Sequence, residues 1–515
     1  MDIPFMYLLL ILPLLGTLVT AATYRRPKNA KYAATIFSGI TLLVVMVYTY
    51  VLLSEGMLSG EYTDTACFAW IDTEWIKISF ALGVDGMSLL MMILTAALTF
   101  LVCIFSASEK NSPNTFFAMI LAMEVGLMGV FMASDYFLFY VFWEVVLIPM
   151  YFLISIWGGP RRHYAAIKFF IYTHVASLIM LIGIFALAIE ASSIAAAAAG
   201  VDSMPLDFSF AAIAKAAPAF GALFQTAVFG MLFLGFAAKM PVVPFHTWLP
   251  DAHVEAPTAG SVLLAGVLLK MGSYGIIRIC LEMLPLGAQA WQWAMIVIAL
   301  VAILYGAYAC IAQRDLKKMV AFSSISHMGM VLLGIAMLSE LGIAFAIFQM
   351  FAHGLITAVL FMVCGIVGHN AGTREIPLLG GLAGKMPVFA AFMMFGFMAS
   401  LGLPGLVGFV AEFGIIMSFF EFLSDFGYPL WIVIFALASV LLTAGYYIWA
   451  MQRTIFGRET DKIDMSDVHD VSRSEGFSLG VLCALIALFG IMPSLVLGII
   501  DSSVIIGTGG VLFGW

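Results

Sequence analysis

Six ionisable side chains stand inside long apolar runs of this chain: Glu144, Lys239, Lys270, His327, His353 and Glu412. A charge held in hydrocarbon costs at least about 2.5 kcal/mol, so such residues face a bundle interior or a wet cavity and serve an ion or proton path. A lysine is the working part of such a path, because desolvation favours its neutral amine and a neighbouring carboxylate restores the ammonium. At an effective dielectric of about 20 and a separation of about 8 Å, that attraction is worth ~2 kcal/mol. Movement of Glu144 toward or away from Lys239 then loads or unloads the lysine. Glu124 is a further, weaker candidate.

Depth follows from counting. A helix rises about 1.5 Å per residue and half a hydrocarbon core is about 15 Å, so about ten residues from a turn is mid-bilayer. Glu124 and Glu144 flank the Ser134-Asp135 turn at that distance and are expected to meet at similar depth. His327 follows Lys318 by nine residues, His353 stands about twelve inside its segment, and Lys270 about fourteen after Ala256. A row of titratable groups in one plane is what lateral proton transfer requires. Each residue also has a plainer use. Glu144 suits a structural ion pair, the lysines could snorkel, Glu412 could cap half a helix, and each histidine could simply bond to a neighbouring helix.

The elements that must hold these groups are membrane helices. Over 515 residues the chain is 63% hydrophobic and 10% charged, with mean hydropathy +1.09, which excludes ordinary globular domains. The fold class is all-α and polytopic. At about 20 apolar residues per span, about fourteen helices are expected. They begin near residues 3, 33, 87, 114, 135, 165, 218, 256, 290, 318, 341, 386, 429 and 477. The longer connections are 54–86, 190–217, 368–385 and 452–476.

Basic residues give the orientation. Arg25, Arg26, Lys28, Lys31, Lys110, Arg161, Arg162, Lys168, Arg314, Lys317, Lys318, Arg374, Lys385, Arg453, Arg458, Lys462 and Arg473 all fall on one side; Lys77, Lys215 and Arg278 fall on the other. The bias places both termini outside. The basic clusters read as inner-face anchors, and Asp85 as the cap of the third span.

Two spans are broken. Pro241 and Pro244 remove backbone donors just after Lys239, while Gly402, Pro404 and Gly405 interrupt the run ahead of Glu412. Gly235-Phe236-Ala237-Ala238-Lys239 and Gly408-Phe409-Val410-Ala411-Glu412 share the pattern G-F-x-A-[K/E]. Matching broken helices in two halves mark transporters built from internal repeats.

No phosphate loop, dinucleotide fingerprint, zinc spacing or nucleophile elbow is present, and no basic run suggests nucleic acid. The six cysteines are scattered without a C-x-x-C pair and read as small core residues. The first apolar run, starting at Ile3 and Pro4, lacks a basic n-region and is expected to stay as a span. The 33 Met and 44 Phe read as packing and lipid-facing surface, and the Ala195 to Ala199 run as uninformative.

Lys239-Met240-Pro241-Val242-Val243-Pro244-Phe245-His246-Thr247-Trp248-Leu249-Pro250-Asp251-Ala252-His253-Val254-Glu255-Ala256-Pro257-Thr258 resembles the signature of the antiporter-like subunits of respiratory NADH:quinone oxidoreductase, complex I. Its continuation through Lys270-Met271-Gly272, with Phe142-Trp143-Glu144, Arg314-Asp315-Leu316-Lys317-Lys318, Ser323-Ser324-Ile325-Ser326-His327-Met328-Gly329 and the Glu412 motif, looks like the M type, the counterpart of mitochondrial subunit 4. The likeness runs through nearly the whole chain. A Glu at 412, where relatives often carry Lys, and the absence of a long lateral helix expected after the last span both favour the M type over the L and N types.

The resemblance implies discontinuous helices seven and twelve and two inverted five-helix repeats. Helices one to three would cover 1–112, the first repeat 113–284, the second repeat 285–455, and an inner-side loop with helix fourteen 456–515. It implies that Glu144 pairs with Lys239, that Lys270, His327 and His353 form a central link, and that Glu412 ends it. It implies no redox centre in this chain. FMN, iron-sulfur clusters and a quinone would belong to other subunits, and partners would be neighbouring antiporter-like subunits, the peripheral redox arm and the lipid bilayer. The expected place is the bacterial inner membrane, with the mitochondrial inner membrane as the alternative. An Mrp-type Na+/H+ antiporter subunit and a purely structural membrane scaffold are the competing functions.

Overall fold

The computed structural model describes residues 5–56, 63–426, 430–463 and 468–507, so Ile3, Pro4 and the last residues to Trp515 lie outside the described part. Among the described residues, 13 helices are long and apolar enough to cross a membrane, and two shorter apolar pieces make a fourteenth, broken helix. In chain order these are α1 (Phe5–Ala22), α2 (Ala30–Ser54), α3 (Gly86–Phe105), α4 (Pro113–Met132), α5 (Tyr136–Trp157) and α6 (Arg162–Ala199). After them come α7, which runs over Ala222–Lys239 and resumes as Leu249–Glu255, then α8 (Thr258–Leu281), α9 (Pro285–Ile311), α10 (Leu316–Ala336) and α11 (Glu340–Asn370). The twelfth, α12, is split into Pro387–Ser400 and Val407–Phe426, and α13 (Trp431–Thr454) and α14 (Arg473–Ile491) complete the set. The expected starts and both expected breaks are therefore present.

Two connections differ from expectation. The stretch 190–217 is not all loop, because α6 continues to Ala199 and ends on Gly200 at φ 69°. The Ala195–Ala199 run that looked uninformative is its last turn, as expected of the strongest helix-forming residue. The connection 54–86 holds a hairpin, β1 (Thr63–Asp72) antiparallel to β2 (Ile76–Val84), with β3 (Leu206–Asp207) added parallel to β2. This small sheet joins turns at one end of the bundle, where Ser134 N donates to Ala81 O at 2.9 Å and Ser79 N to Asp135 at 3.1 Å. Asp85 caps α3 by accepting from Ser88 N at 2.8 Å, as expected, and also holds Arg278 of α8. Arg278 reaches Glu282 at 3.0 Å, and burial pushes the Glu282 carboxyl up to about 7 against the pull of that guanidinium.

Hydropathy does not separate centre from rim. The apolar windows of α1 and α11 have the same mean hydropathy, 2.2, yet 33% of the first is buried and 94% of the second. In the apolar windows of α8, α10 and α11, the centre, 100%, 100% and 94% of the residues are buried, against 33% in α6 and 28% in α14. Lys270, His327 and His353 belong to these three central helices.

Candidate functional site: a buried chain of titratable groups

The central segment is contiguous. Lys270 is fully buried on α8, just after a π-helical stretch, Leu264–Leu268, of the kind that frequently marks functional positions. Its ammonium donates to Ala265 O and lies 2.7 Å from His353 Nδ1. The His353 and His327 rings are 5.6 Å apart between centroids. His327 Nδ1 is 2.8 Å from Glu412 Oε1 and its Nε2 is 3.2 Å from Ser400 Oγ. Ser400 Oγ donates to the Tyr447 hydroxyl at 2.8 Å, and Tyr447 donates to Ser323 Oγ at 3.0 Å. Four helices, α8, α11, α10 and α12, thus bring Lys270, His353, His327 and Glu412 into one line.

The break in α12 serves this line. Gly402 takes φ 82°, a conformation that glycine adopts without steric cost, and a Cβ there would lie 3.5 Å from Glu412 Oε2. The chain reverses beside the carboxylate that the second half of α12 delivers.

The first half is arranged differently. Lys239 ends the first part of α7, is 1% exposed, and its Nζ has no hydrogen-bond partner among the described residues. It lies 4.7 Å from the Trp143 ring centroid, a cation–π contact. The expected pairing with Glu144 is not direct. The Glu144 side chain is 21% exposed at the rim of the bundle and is held 2.8 Å from His174 Nδ1, with Ser177 Oγ donating to its other oxygen. The reason is rotational: Trp143 and Glu144 are adjacent on α5, about 100° apart around the axis, so only one of them can face Lys239. Pro149 cannot donate to the Val145 carbonyl one turn back, and the helix is interrupted at Val146.

Glu124 is fully buried on α4, and neither carboxylate oxygen has a hydrogen-bond partner among the described residues. It does not meet Glu144, whose oxygens are taken by α6. Lys239 and Lys270 are brought near by helix packing. A Cβ on Gly272 would come within 2.5 Å of Phe236 O and 2.7 Å of Met240 N, so α8 touches the backbone of α7 at its break.

Sequence reasoning missed three groups. His174 satisfies the rule that selected His327, an ionisable residue inside an apolar run. His253, on the resumed part of α7, is 0% exposed, stacks on Phe361 at 4.4 Å, and has both ring nitrogens without partners among the described residues. It was present in the signature stretch but sits near a turn in the count of depth. Lys317, expected as an exposed anchor, is 2% exposed and donates to Ala256 O at 2.5 Å. Lys317 lines a cavity of about 490 Å³ with Glu255, Asp315, Arg374 and Glu375, bordered by the turns that precede α6, α8, α10 and α12. Arg161, by contrast, is an anchor as expected, pairing with Asp251 at 3.5 Å and Glu255 at 3.6 Å.

Known proteins share this fold. Residues 133–443 match the family model described as NADH:quinone oxidoreductase/Mrp antiporter, transmembrane. The chain is 41% identical over 498 residues to F(420)H(2) dehydrogenase subunit M of Methanosarcina mazei, covering 96% of each. It is 38% identical over 505 residues to NADH-quinone oxidoreductase subunit M of Rhodobacter capsulatus, covering 96% of this chain and 94% of that protein. Among solved structures, a chain of respiratory complex I from Thermus thermophilus with bound NADH superposes with TM-score 0.83 at 26% identity, over 97% of this chain and 99% of that one. The Mrp complex of Dietzia has the same fold, at TM-score 0.81 and 19% identity over 98% and 97%. The chain belongs to the NADH:quinone oxidoreductase/Mrp antiporter family of membrane proteins, alongside the subunits named M.

Proposed function

We propose that this chain is the proton-translocating membrane subunit of an NADH:quinone oxidoreductase, moving protons along its buried groups while quinone reduction in other subunits supplies the energy. The observation that carries the reading is the line Lys270, His353, His327, Glu412, whose two outer links are 2.7 and 2.8 Å long. An imidazole takes a proton on one nitrogen and releases one from the other, so each histidine extends the line. Both His327 nitrogens are already engaged, and transfer from His353 therefore crosses a solvent molecule or follows a ring turn. Lys317, His253 and the cavity beside them supply an intake toward Lys270. Glu144 with His174 at the rim faces a neighbouring antiporter-like subunit, and Lys239 receives its influence across the Trp143 ring.

The redox groups, FMN, iron-sulfur clusters and quinone, belong to partner subunits in this reading. Relatives serve both an F(420)H(2) dehydrogenase and NADH-quinone oxidoreductases, so the electron donor is a property of those partners. Both termini face outward, following the basic-residue bias, and the two broken helices belong to corresponding positions of two inverted repeats. The test is Glu144→Gln in the intact complex. Assembly is expected to hold while proton pumping and the quinone reductase activity coupled to it fall sharply. Unchanged pumping would support the scaffold reading instead.

A further inference from the structure

The turns joining α1 to α2 and α3 to α4 enclose a cavity of about 520 Å³ that the proton path does not use. Lys28, Lys31 and Lys110 line it, with Tyr32, Pro113 and Phe117 as its apolar wall. Lys31 Nζ donates to Ala107 O at 3.3 Å and stands 5.3 Å from the Tyr32 ring centroid. None of the three lysines makes an ion pair within 4.0 Å among the described residues. The one carboxylate in the cavity wall, Glu109, is occupied by its own backbone, accepting from Lys110 N at 2.9 Å and Asn111 N at 2.8 Å. The cavity therefore gathers three ammonium groups against a single carboxylate, an excess of positive charge.

A second feature starts at the same place. Tyr32, Ile36, Ile40 and Leu43 are 61%, 59%, 40% and 62% exposed, and their spacing puts them on one face of α2. This apolar stripe runs from the lysines into the depth of the membrane. Charge at the headgroup level with an apolar track leading away from it fits a molecule with an anionic head and a hydrocarbon tail. We infer that the cavity binds an anionic phospholipid of the inner leaflet, phosphate on Lys28, Lys31 and Lys110 and one acyl chain along the α2 stripe. Basic pockets between transmembrane helices on the cytoplasmic side recognise such headgroups. The stripe argues for lipid over free phosphate, which has no use for it.

The test uses the complex reconstituted in phosphatidylcholine nanodiscs with spin-labelled phosphatidylglycerol as the probe. One motionally restricted anionic lipid per chain is expected beyond the count seen with labelled phosphatidylcholine. Replacing Lys28, Lys31 and Lys110 together by Gln should weaken it by about fivefold per lysine, on the order of a hundredfold in all. If the triple variant fails to assemble, Lys31→Gln alone should give the fivefold loss. An unchanged lipid count in these variants overturns the proposal. So does displacement of the labelled lipid by millimolar inorganic phosphate, which would make the cavity a simple anion site. Neither outcome bears on proton pumping, so the two readings fail independently.

Discussion

The two halves of the buried path handle the same problem in opposite ways. From Lys270 to Glu412 each group touches the next or lies one ring away, and the supporting hydroxyls of Ser400, Tyr447 and Ser323 continue the network. From Glu144 to Lys239 there is no direct contact: the carboxylate is bound to α6, and among the described residues the Lys239 ammonium has no hydrogen-bond partner and lies over the Trp143 ring face. A connected line conducts whenever its ends differ in proton affinity. A separated pair responds to geometry, because the attraction between its charges changes with distance while no hydrogen bond pins them together. In the function proposed above, conduction falls to the second half and control to the first.

The largest effect should come from cutting the connected half. Lys270→Met removes the donor to His353, and pumping is expected to fall by about a hundredfold or more, in the range of lost proton-transfer catalysis. Dye quenching in inside-out vesicles, with assembly checked on native gels, reads it; pumping near the wild-type rate breaks the assignment of conduction to this half. Next is His174→Ala, which takes from Glu144 a hydrogen bond worth about 1.5–3 kcal/mol, or tenfold and more if all of it bears on the rate. His174→Gln keeps a donor and should recover much of the rate, whereas equal loss in both variants would show that charge, not holding, is what His174 supplies. The smallest change is at the ring. Trp143→Leu gives up a desolvated cation–π contact of about 2 kcal/mol, and a several-fold drop is expected, with Trp143→Phe intermediate. Equal rates in the Leu and Phe variants would remove the ring face from the control step and narrow the difference between the two halves.

Much of this was legible in the chain. The fourteen spans follow from apolar length, the breaks in α7 and α12 from Pro241, Pro244, Gly402 and Gly405, and the candidate list from the cost of charge in hydrocarbon. That same cost marks His174 as plainly as His327. Lys317 was misplaced because counting from a turn measures depth along one helix and is blind to neighbours. The end of α10 near Lys317 is covered by the turn at Ala256, which converts an expected surface anchor into a buried donor.

What the sequence by itself determined is which residues cannot be lipid-facing bystanders, since the price of a buried charge is a property of the residue and its run. Which of them meet is a different matter. Adjacent residues on a helix point about 100° apart, so whether Trp143 or Glu144 faces Lys239, and which of fourteen similar apolar helices lie at the centre, depends on how the helices are rotated and packed. Helices α1 and α11 are equally apolar and end at opposite extremes of burial. Only the tertiary structure decided that, because hydrocarbon and protein interior are alike to an apolar side chain and distinct to the polar groups that must find one another.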